Sequence, residues 1–325
     1  MIKAGIVGGT GYAAGELLRI LLNHPETEIQ FIFSTSKAGE PVASVHRDLL
    51  GETDLHFSHE LDSDIDVLFL CMGHGNSVEF LDAHTVNANA RIIDLSRDFR
   101  LAPDQTYNGR TFTYGLPELQ KDAIKTADNI ANPGCFATAI QLALYPLANS
   151  SNLNNNVHLH GITGSTGAGS SLRETTHFSW RDNNVSIYKP LRHQHIGEVR
   201  QKIQTLDPNF DQELNFIPVR GDFTRGIFIS AYMETDLSEK EAQKLFKYFY
   251  QDSPFVYLSD EPIHLKQAVN TNKDLLHVAK EDGKLLITSI IDNLLKGASG
   301  QAVQNMNLMF DLDESAGLYL KPSHF

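Results

Sequence analysis

Cysteine is nearly absent from this chain: its 325 residues hold two, Cys71 and Cys135. Two thiols cannot build a disulfide framework, so the core must hold the fold, and a reducing cytoplasm is the expected setting. Long apolar runs are missing as well. The longest candidates, such as VLFLCM, have strand length, well short of the roughly 20 residues that a membrane helix needs. The first residues, MIKAGIVGGTGYAAG, run into a glycine-rich turn without the apolar stretch and cleavage site of a secretory leader. Basic charge is also scarce. With 27 Lys and Arg against 40 Asp and Glu, the formal charge is -13 at pH 7, which argues against a nucleic-acid partner, whose phosphates are bound by clustered cations. No membrane partner is expected either. What is present, 41% hydrophobic and 21% charged residues, is the composition of a soluble globular protein long enough for two domains.

The first third alternates short apolar runs with helical periodicity. KAGIVGG, EIQFIFST, DIDVLFLCMG and ARIIDLS read as strands. GELLRILLNH, with Leu17, Leu18, Leu21 and Leu22 on one face, and SVEFLDAHTV read as helices between them. Repeated strand-helix-strand units predict an α/β domain with a doubly wound parallel sheet of Rossmann type. The polar stretch ANSSNLNNNVH from Ala148 is the candidate linker or exposed loop. Beyond it VHLHGIT, LNFIPV, GIFISAYME, PIHLKQAV, LLHVAK and KLLITSII read as strands with few helices between. SEKEAQKLFKYFYQ is the exception and opens on a capping box, Ser238 with Glu241. A second α+β domain of mixed sheet is expected, and a closing helix, GASGQAVQNMNLMFDL, is available to pack back on the first.

Gly8 and Gly11 lie in GIVGGTGYAAG, after the first strand and before the first helix. A dinucleotide pyrophosphate needs a turn without Cβ atoms and a helix start offering unpaired N–H groups. The candidate cofactor residues are therefore Gly8, Thr10, Gly11, Tyr12 and Ala13. An NAD site usually ends its second strand in Asp or Glu to hold the ribose hydroxyls. Here Ser34, Thr35, Ser36 and Lys37 follow instead, hydroxyls and one cation, which favours NADP.

The two thiols differ in setting. Cys71 sits in the apolar VLFLCMG and reads as inert core. Cys135 follows Pro133 and Gly134 and heads CFATAIQLALY, good helix formers up to Pro146. In the first turn of a helix, unsatisfied N–H groups and the dipole favour a thiolate. A base must come from elsewhere in the chain. Among fourteen histidines, His193 and His195 in RHQHIGEV alternate, so an extended segment puts both on one face, with Glu198 placed to orient an imidazole. The pair could also ligate zinc, but no neighbouring Cys or third His completes a site. A cysteine-histidine pair is the expectation, and no metal.

The blocks GGTGYAAGEL, DLSRDFRL, YGLPEL, NPGCFATA, GSTGAGSS, HQHIGEV, FIPVRGDFTRGI and DNLLKGASGQAVQNMNLMF resemble, in order and spacing, the N-acetyl-γ-glutamyl-phosphate reductases of arginine biosynthesis, over nearly the whole chain. The resemblance implies a Rossmann domain over residues 1–134, completed by a C-terminal helical segment 298–325, and a catalytic and oligomerisation domain over 135–297. It implies NADP, an acyl phosphate, inorganic phosphate, and assembly as a dimer or tetramer. It also implies Cys135 as nucleophile, His195 exchanging protons, His193, Glu198, Arg100 and Arg225 around the substrate, and Asn293 near the nicotinamide. Phe136, Ala137, Ser170, Gln194 and Gly197 depart from the family's pattern, and the acyl group stays open between acetyl, succinyl and carrier-linked forms. Aspartate-semialdehyde dehydrogenase and a non-catalytic NADP sensor are the alternatives.

Overall fold

Four apolar segments of the first third, each too short for a helix, become parallel strands in the computed structural model, which describes residues 1–323. They are β1 (Ile2–Val7), β2 (Thr27–Phe33), β3 (Val67–Leu70) and β4 (Arg91–Asp94), joined through helices α1 (Tyr12–Leu21) and α2 (Asn76–Ala83). All four residues of β3 are buried, as expected of a strand covered on both faces. Four more elements follow, for which the residue pattern gives no clear signal: β5 (Thr106–Tyr107), β6 (Arg110–Tyr114), α3 (Pro117–Lys125) and β7 (Asn129–Ala131). The sheet order is β2-β1-β3-β4-β7-β6-β5, parallel except where β5 pairs with β6. Strand order reverses between β1 and β3, so the carboxyl ends of these two strands frame the crevice in which open α/β sheets take ligands.

This sheet belongs to the first of two compact units, Met1–Pro133 with Ala298–Tyr319; the second is Gly134–Gly297 with residues 320–323. The helix Gly300–Met309 is buried in the first unit. Ser299 Oγ donates to Ala13 O at 2.7 Å, and Asn305 Nδ2 donates to Gly115 O at 2.9 Å and to Asn132 Oδ1 at 3.0 Å.

The second unit is built around α4 (Cys135–Asn149), whose side chains from Phe136 to Ala148 are all buried. A helix apolar on every side must be enclosed. Contrary to expectation, it does not stop at Pro146. Proline has no N–H to give the carbonyl four residues back, and Tyr250 Oη donates to that carbonyl, Leu142 O, at 2.6 Å. The helix therefore continues one turn further without leaving a buried acceptor unmet. The remaining elements are β8 (Val157–Thr163), α5 (Phe178–Arg181), β9 (Ser186–Ile187), α6 (His195–Leu206), β10 (Leu214–Arg220), β11 (Ile227–Glu234), α7 (Glu239–Phe249), β12 (Val256–Ser259), β13 (Asp274–Glu281) and β14 (Lys284–Ile291). Their sheet, β12-β13-β14-β11-β8-β10-β9, is mixed: β8 with β10 and β12 with β13 are parallel, the other pairs antiparallel. Alternating burial along β8 and β11 shows one face covered and one open.

The capping box at Ser238 and Glu241 is formed. The polar stretch from Ala148 is an exposed connection from α4 to β8 inside the second unit and links no domains. PIHLKQAV is not a strand: Leu265–Gln267 turn as a 3-10 helix.

Candidate active site

Cys135 is the first residue of α4, behind Gly134 in extended conformation, and is half-buried. The backbone ahead of it is fixed within the second unit, where Glu198 Oε2 accepts from Gly134 N at 3.0 Å. Glu198 thus holds the approach to the helix that carries the thiol. Gly297 packs directly on the cysteine, since a Cβ added there would stand 2.8 Å from Cys135 Cβ. It lies in a π-helical turn, Leu295–Ser299, closed by Gly297 N donating to Asp292 O at 2.9 Å. Such turns recur at functional sites.

His193 and His195 are both buried, with ring centroids 4.7 Å apart. The extended HQH segment expected from alternation is not found. Gln194 is αR and His195 opens α6, while His195 N donates to His193 Nδ1 at 3.3 Å, so a helix start brings the rings together. Phe136, the neighbour of the cysteine, lies 5.5 Å from the His193 ring and 6.4 Å from that of His195. Burial, with the charges of Lys189 and Arg220, pushes His193 down to about 4, so its imidazole is neutral near pH 7. Tyr188 stands beside this group, 5.7 Å from the His193 ring. Its phenol is pushed up by burial and by the Cys135 charge.

Arg225 is not an unengaged clamp. Its Nε and Nη2 both lie 3.0 Å from Oδ2 of the wholly buried Asp292. Asp292 also accepts from Asn270 N at 2.7 Å and Leu294 N at 2.8 Å. One carboxylate therefore ties Arg225 to the turn that carries Gly297. Asn293 Oδ1 accepts from Gly226 N at 2.7 Å and its Nδ2 donates to Thr166 Oγ1 at 3.0 Å. Asn293 joins the loop of Thr166 to the segment of Arg225.

In the first unit Gly8 has φ +77°, and a Cβ there would meet Cys71 O at 2.9 Å, so the turn after β1 requires glycine. Gly11 caps α1, and a Cβ added there would meet nothing closer than Gly8 O at 3.7 Å. With Thr10, Tyr12 and Ala13 this makes a cradle suited to a pyrophosphate. Ser34 is buried, and Thr35 and Ser36 are exposed. Lys37 pairs with Glu40 at 3.0 Å. The cation noted after β2 thus has a carboxylate three residues on. Cys71 is held protonated by burial and by the nearby Asp94. Arg100 is buried and donates from Nε to Asn132 O at 2.8 Å and from Nη2 to Leu95 O at 2.9 Å, bracing the backbone that runs toward Pro133.

Residues 3–127 match the family model described as semialdehyde dehydrogenase, NAD binding domain, and residues 135–293 match semialdehyde dehydrogenase, dimerisation domain. Proteins named N-acetyl-gamma-glutamyl-phosphate reductase from Christiangramia forsetii, Flavobacterium johnsoniae and Bacteroides thetaiotaomicron are 54%, 53% and 55% identical, with all of this chain and all of each relative covered. The chain belongs to this reductase family. Among solved structures, aspartate semialdehyde dehydrogenase II of Vibrio cholerae, complexed with ASA, matches with TM-score 0.73 at 17% identity over 96% of this chain and 98% of that one. The NADP-bound aspartate semialdehyde dehydrogenase of Candida albicans gives 0.72 at 12%, over 95% and 98%. These two likenesses carry the fold alone.

Within the reductase framework several residues escape a reading of motifs. Asp292 and Gly297 stand in the DNLLKGASG block but act through backbone geometry, which has no residue-type signature. His46 buttresses the dinucleotide turn from 31 residues beyond Gly15: its ring fills the space a Gly15 side chain would take, and its Nε2 donates to Gly9 O at 2.7 Å. Asp94 ends β4 fully buried, accepts from Ser77 Oγ at 2.5 Å and Ser96 Oγ at 2.7 Å, and is pushed up to about 6 by burial. Asp98 accepts from Gly75 N at 2.7 Å and Ser77 N at 3.2 Å, capping α2. Among the described residues no group of three or more His, Cys, Asp or Glu could hold a metal ion, and no helix is long and apolar enough to cross a membrane.

Proposed function

We propose that the protein reduces an N-acyl-γ-glutamyl phosphate to the N-acylglutamate semialdehyde and phosphate through a thioester on Cys135, with NADPH as reductant, in arginine biosynthesis. The observation that carries the reading is the placement of Cys135 as the first residue of a buried helix, its approach held by Glu198, with the two histidines grouped around its neighbour Phe136. Peptide dipoles at a helix start favour the thiolate. The sulfur attacks the γ-carbonyl carbon, the bond from that carbon to the phosphate oxygen breaks, and phosphate leaves with the electron pair. NADPH, when bound by the turn Gly8–Ala13 and by Ser34–Lys37, supplies the hydride that the thioester accepts. Protonated His195 gives its proton to the oxyanion left by hydride addition and takes it back from the hydroxyl as the carbon–sulfur bond opens and Cys135 leaves as thiolate. A neutral His193 is a poor proton carrier near pH 7, which supports giving that task to His195 and leaving His193, with Glu198, to hold position and meet substrate. Asn293, which orders the Thr166 loop and the Gly226 backbone, is the residue we assign to the nicotinamide.

Arg225 and Arg100 are assigned to phosphate or carboxylate because the guanidinium fork suits both; Asp292 steadies Arg225, and the carbonyls of Asn132 and Leu95 steady Arg100. NADP is favoured over NAD by the missing carboxylate directly after β2. The matched dimerisation domain and the open face of the second sheet, where Tyr232, Leu286 and Tyr257 are exposed, support a homo-oligomer, and the reducing chemistry of a free catalytic thiol supports a cytoplasmic location. The test is phosphate-dependent reduction of NADP by purified protein with N-acylglutamate semialdehydes. Cys135→Ser should abolish it with NADPH binding intact, and turnover near the wild-type rate in that variant would reject the thioester route.

A further inference from the structure

At the edge of the second sheet β9 pairs antiparallel with the end of β10, setting Ser186 opposite Arg220. Arg181, the last residue of α5, is only 6% exposed. Its Nη2 donates to Asn184 O at 2.8 Å and its Nη1 lies 3.5 Å from Ser186 Oγ, while its buried Nε has no hydrogen-bond partner among the described residues. The Nε of Arg220 is buried without a partner too, and its guanidinium lies 4.8 Å from the Tyr188 ring centre. The two guanidinium groups oppose one another. The acid that offsets Arg181 is Asp222, which is exposed and already accepts from Asn183 N at 2.8 Å. Lys189 and Arg220 add positive charge on the His193 side.

Arg220 hydrogen-bonds the Tyr188 side chain, yet a buried Nε–H on each guanidinium stays unmet, an arrangement that is costly unless an anion completes it. The planar fork of each is suited to bidentate recognition of a carboxylate. Tyr188 stands next to both Arg220 and the Cys135 charge, so what the arginines meet lies about one aromatic ring away from the reacting carbon. That is where a substrate carboxylate several bonds from the γ-carbonyl belongs.

We propose that Arg181 and Arg220 form a carboxylate-binding subsite beside Cys135, with Tyr188 as the wall between. The proposal rests on the reductase reading and names the substrate chemistry it takes. Two carboxylates qualify: the α-carboxylate of the glutamyl unit, and the free carboxylate of a dicarboxylic acyl group such as succinyl.

The test compares kcat/KM for phosphate-dependent oxidation of N-acetylglutamate semialdehyde, its α-carboxamide and N-succinylglutamate semialdehyde by wild type, Arg181→Met, Arg220→Met and Arg220→Lys. A lost charge-assisted hydrogen bond predicts a fall of roughly 10- to 100-fold in the Met variants, mostly through KM and confined to substrates bearing the recognised carboxylate, with part regained in Arg220→Lys. A loss confined to the succinyl substrate assigns the acyl carboxylate. A loss on both acids but spared on the carboxamide assigns the α-carboxylate. An equal fall on all three, or none on any, overturns the subsite. Protection of Cys135 from iodoacetamide by N-acetylglutamate and by succinate reads binding without turnover: protection weakened in Arg220→Met supports the subsite, and protection unchanged there refutes it. Wild-type protein inactive on all three substrates overturns the reductase reading, and the alkylation assay still decides the subsite.

Discussion

Gly297→Ala is a one-carbon test of how the thiol is positioned. A helical Gly→Ala change ordinarily stabilises by roughly 0.5–1 kcal/mol, because alanine restricts the unfolded chain. At Gly297 the new Cβ would stand 2.8 Å from Cys135 Cβ and 3.3 Å from both Cys135 Cα and Asp292 O. Carbon atoms in good contact sit about 3.5–4.0 Å apart, so either the π-helical turn or the start of α4 must yield by about 1 Å. Overpacking of this kind costs about 1–3 kcal/mol. After the ordinary gain is subtracted, a net loss on the order of 1–2 kcal/mol remains, with the sign reversed from the usual helix result. A misplacement of about 1 Å at a reacting atom costs on the order of 10² in rate. Urea unfolding should therefore show a lower midpoint at unchanged slope, and kcat/KM should fall more than stability does. A variant as stable as or more stable than wild type, with full activity, would show that the turn does not set the sulfur's position.

Three further outcomes follow from particular contacts. Tyr250→Phe removes the donor that serves Leu142 O, and a buried acceptor left unmet should cost about 1–3 kcal/mol in urea unfolding, with kcat unchanged at temperatures where the protein stays folded. Glu40→Gln should release Lys37 and tighten NADP by about 2- to 5-fold, the scale of an exposed ion pair, whereas Lys37→Gln should weaken it; titrations in which NAD shifts equally would remove Lys37 from the 2′-phosphate. His193, held near 4 in the fold against about 6.5 in an unfolded chain, takes up a proton in the unfolded state first. Its contribution to stability is thus lost as pH falls from about 6.5 toward 4. Asp94, raised to about 6, works in the opposite direction over much of that range, so the measurement is the difference between wild type and His193→Asn. That difference should shrink on acidification, and a pH-independent one would refute the assignment.

The parallel sheet is legible because its strands are short, mostly apolar and separated by helical periodicity, so β1 to β4 with α1 and α2 lie where the pattern places them. β5, β7 and β9 are not, since strands of two or three residues carry no period. PIHLKQAV has the residue types of a strand, yet its backbone turns, because tertiary context overrides a weak propensity. Pro146 read as a stop for the same local reason, and a tyrosine 104 residues on supplied what the proline lacks. In the site, Cys135 could be picked out by its breaker-then-helix context. Alternation in the sequence singles out the histidine pair, but the rings meet at a helix start and not along a strand. Asp292, Gly297, His46 and the Arg181–Arg220 pair are products of tertiary folding, invisible until distant segments are brought together.

The most direct measurement is intact-protein mass spectrometry after rapid mixing with the N-acyl-γ-glutamyl phosphate in the absence of NADPH. The thioester route requires one acyl group per chain, located at Cys135 and discharged as semialdehyde when NADPH is added. Turnover with no adduct on Cys135 at any quench time, or an adduct that NADPH does not discharge, would contradict it.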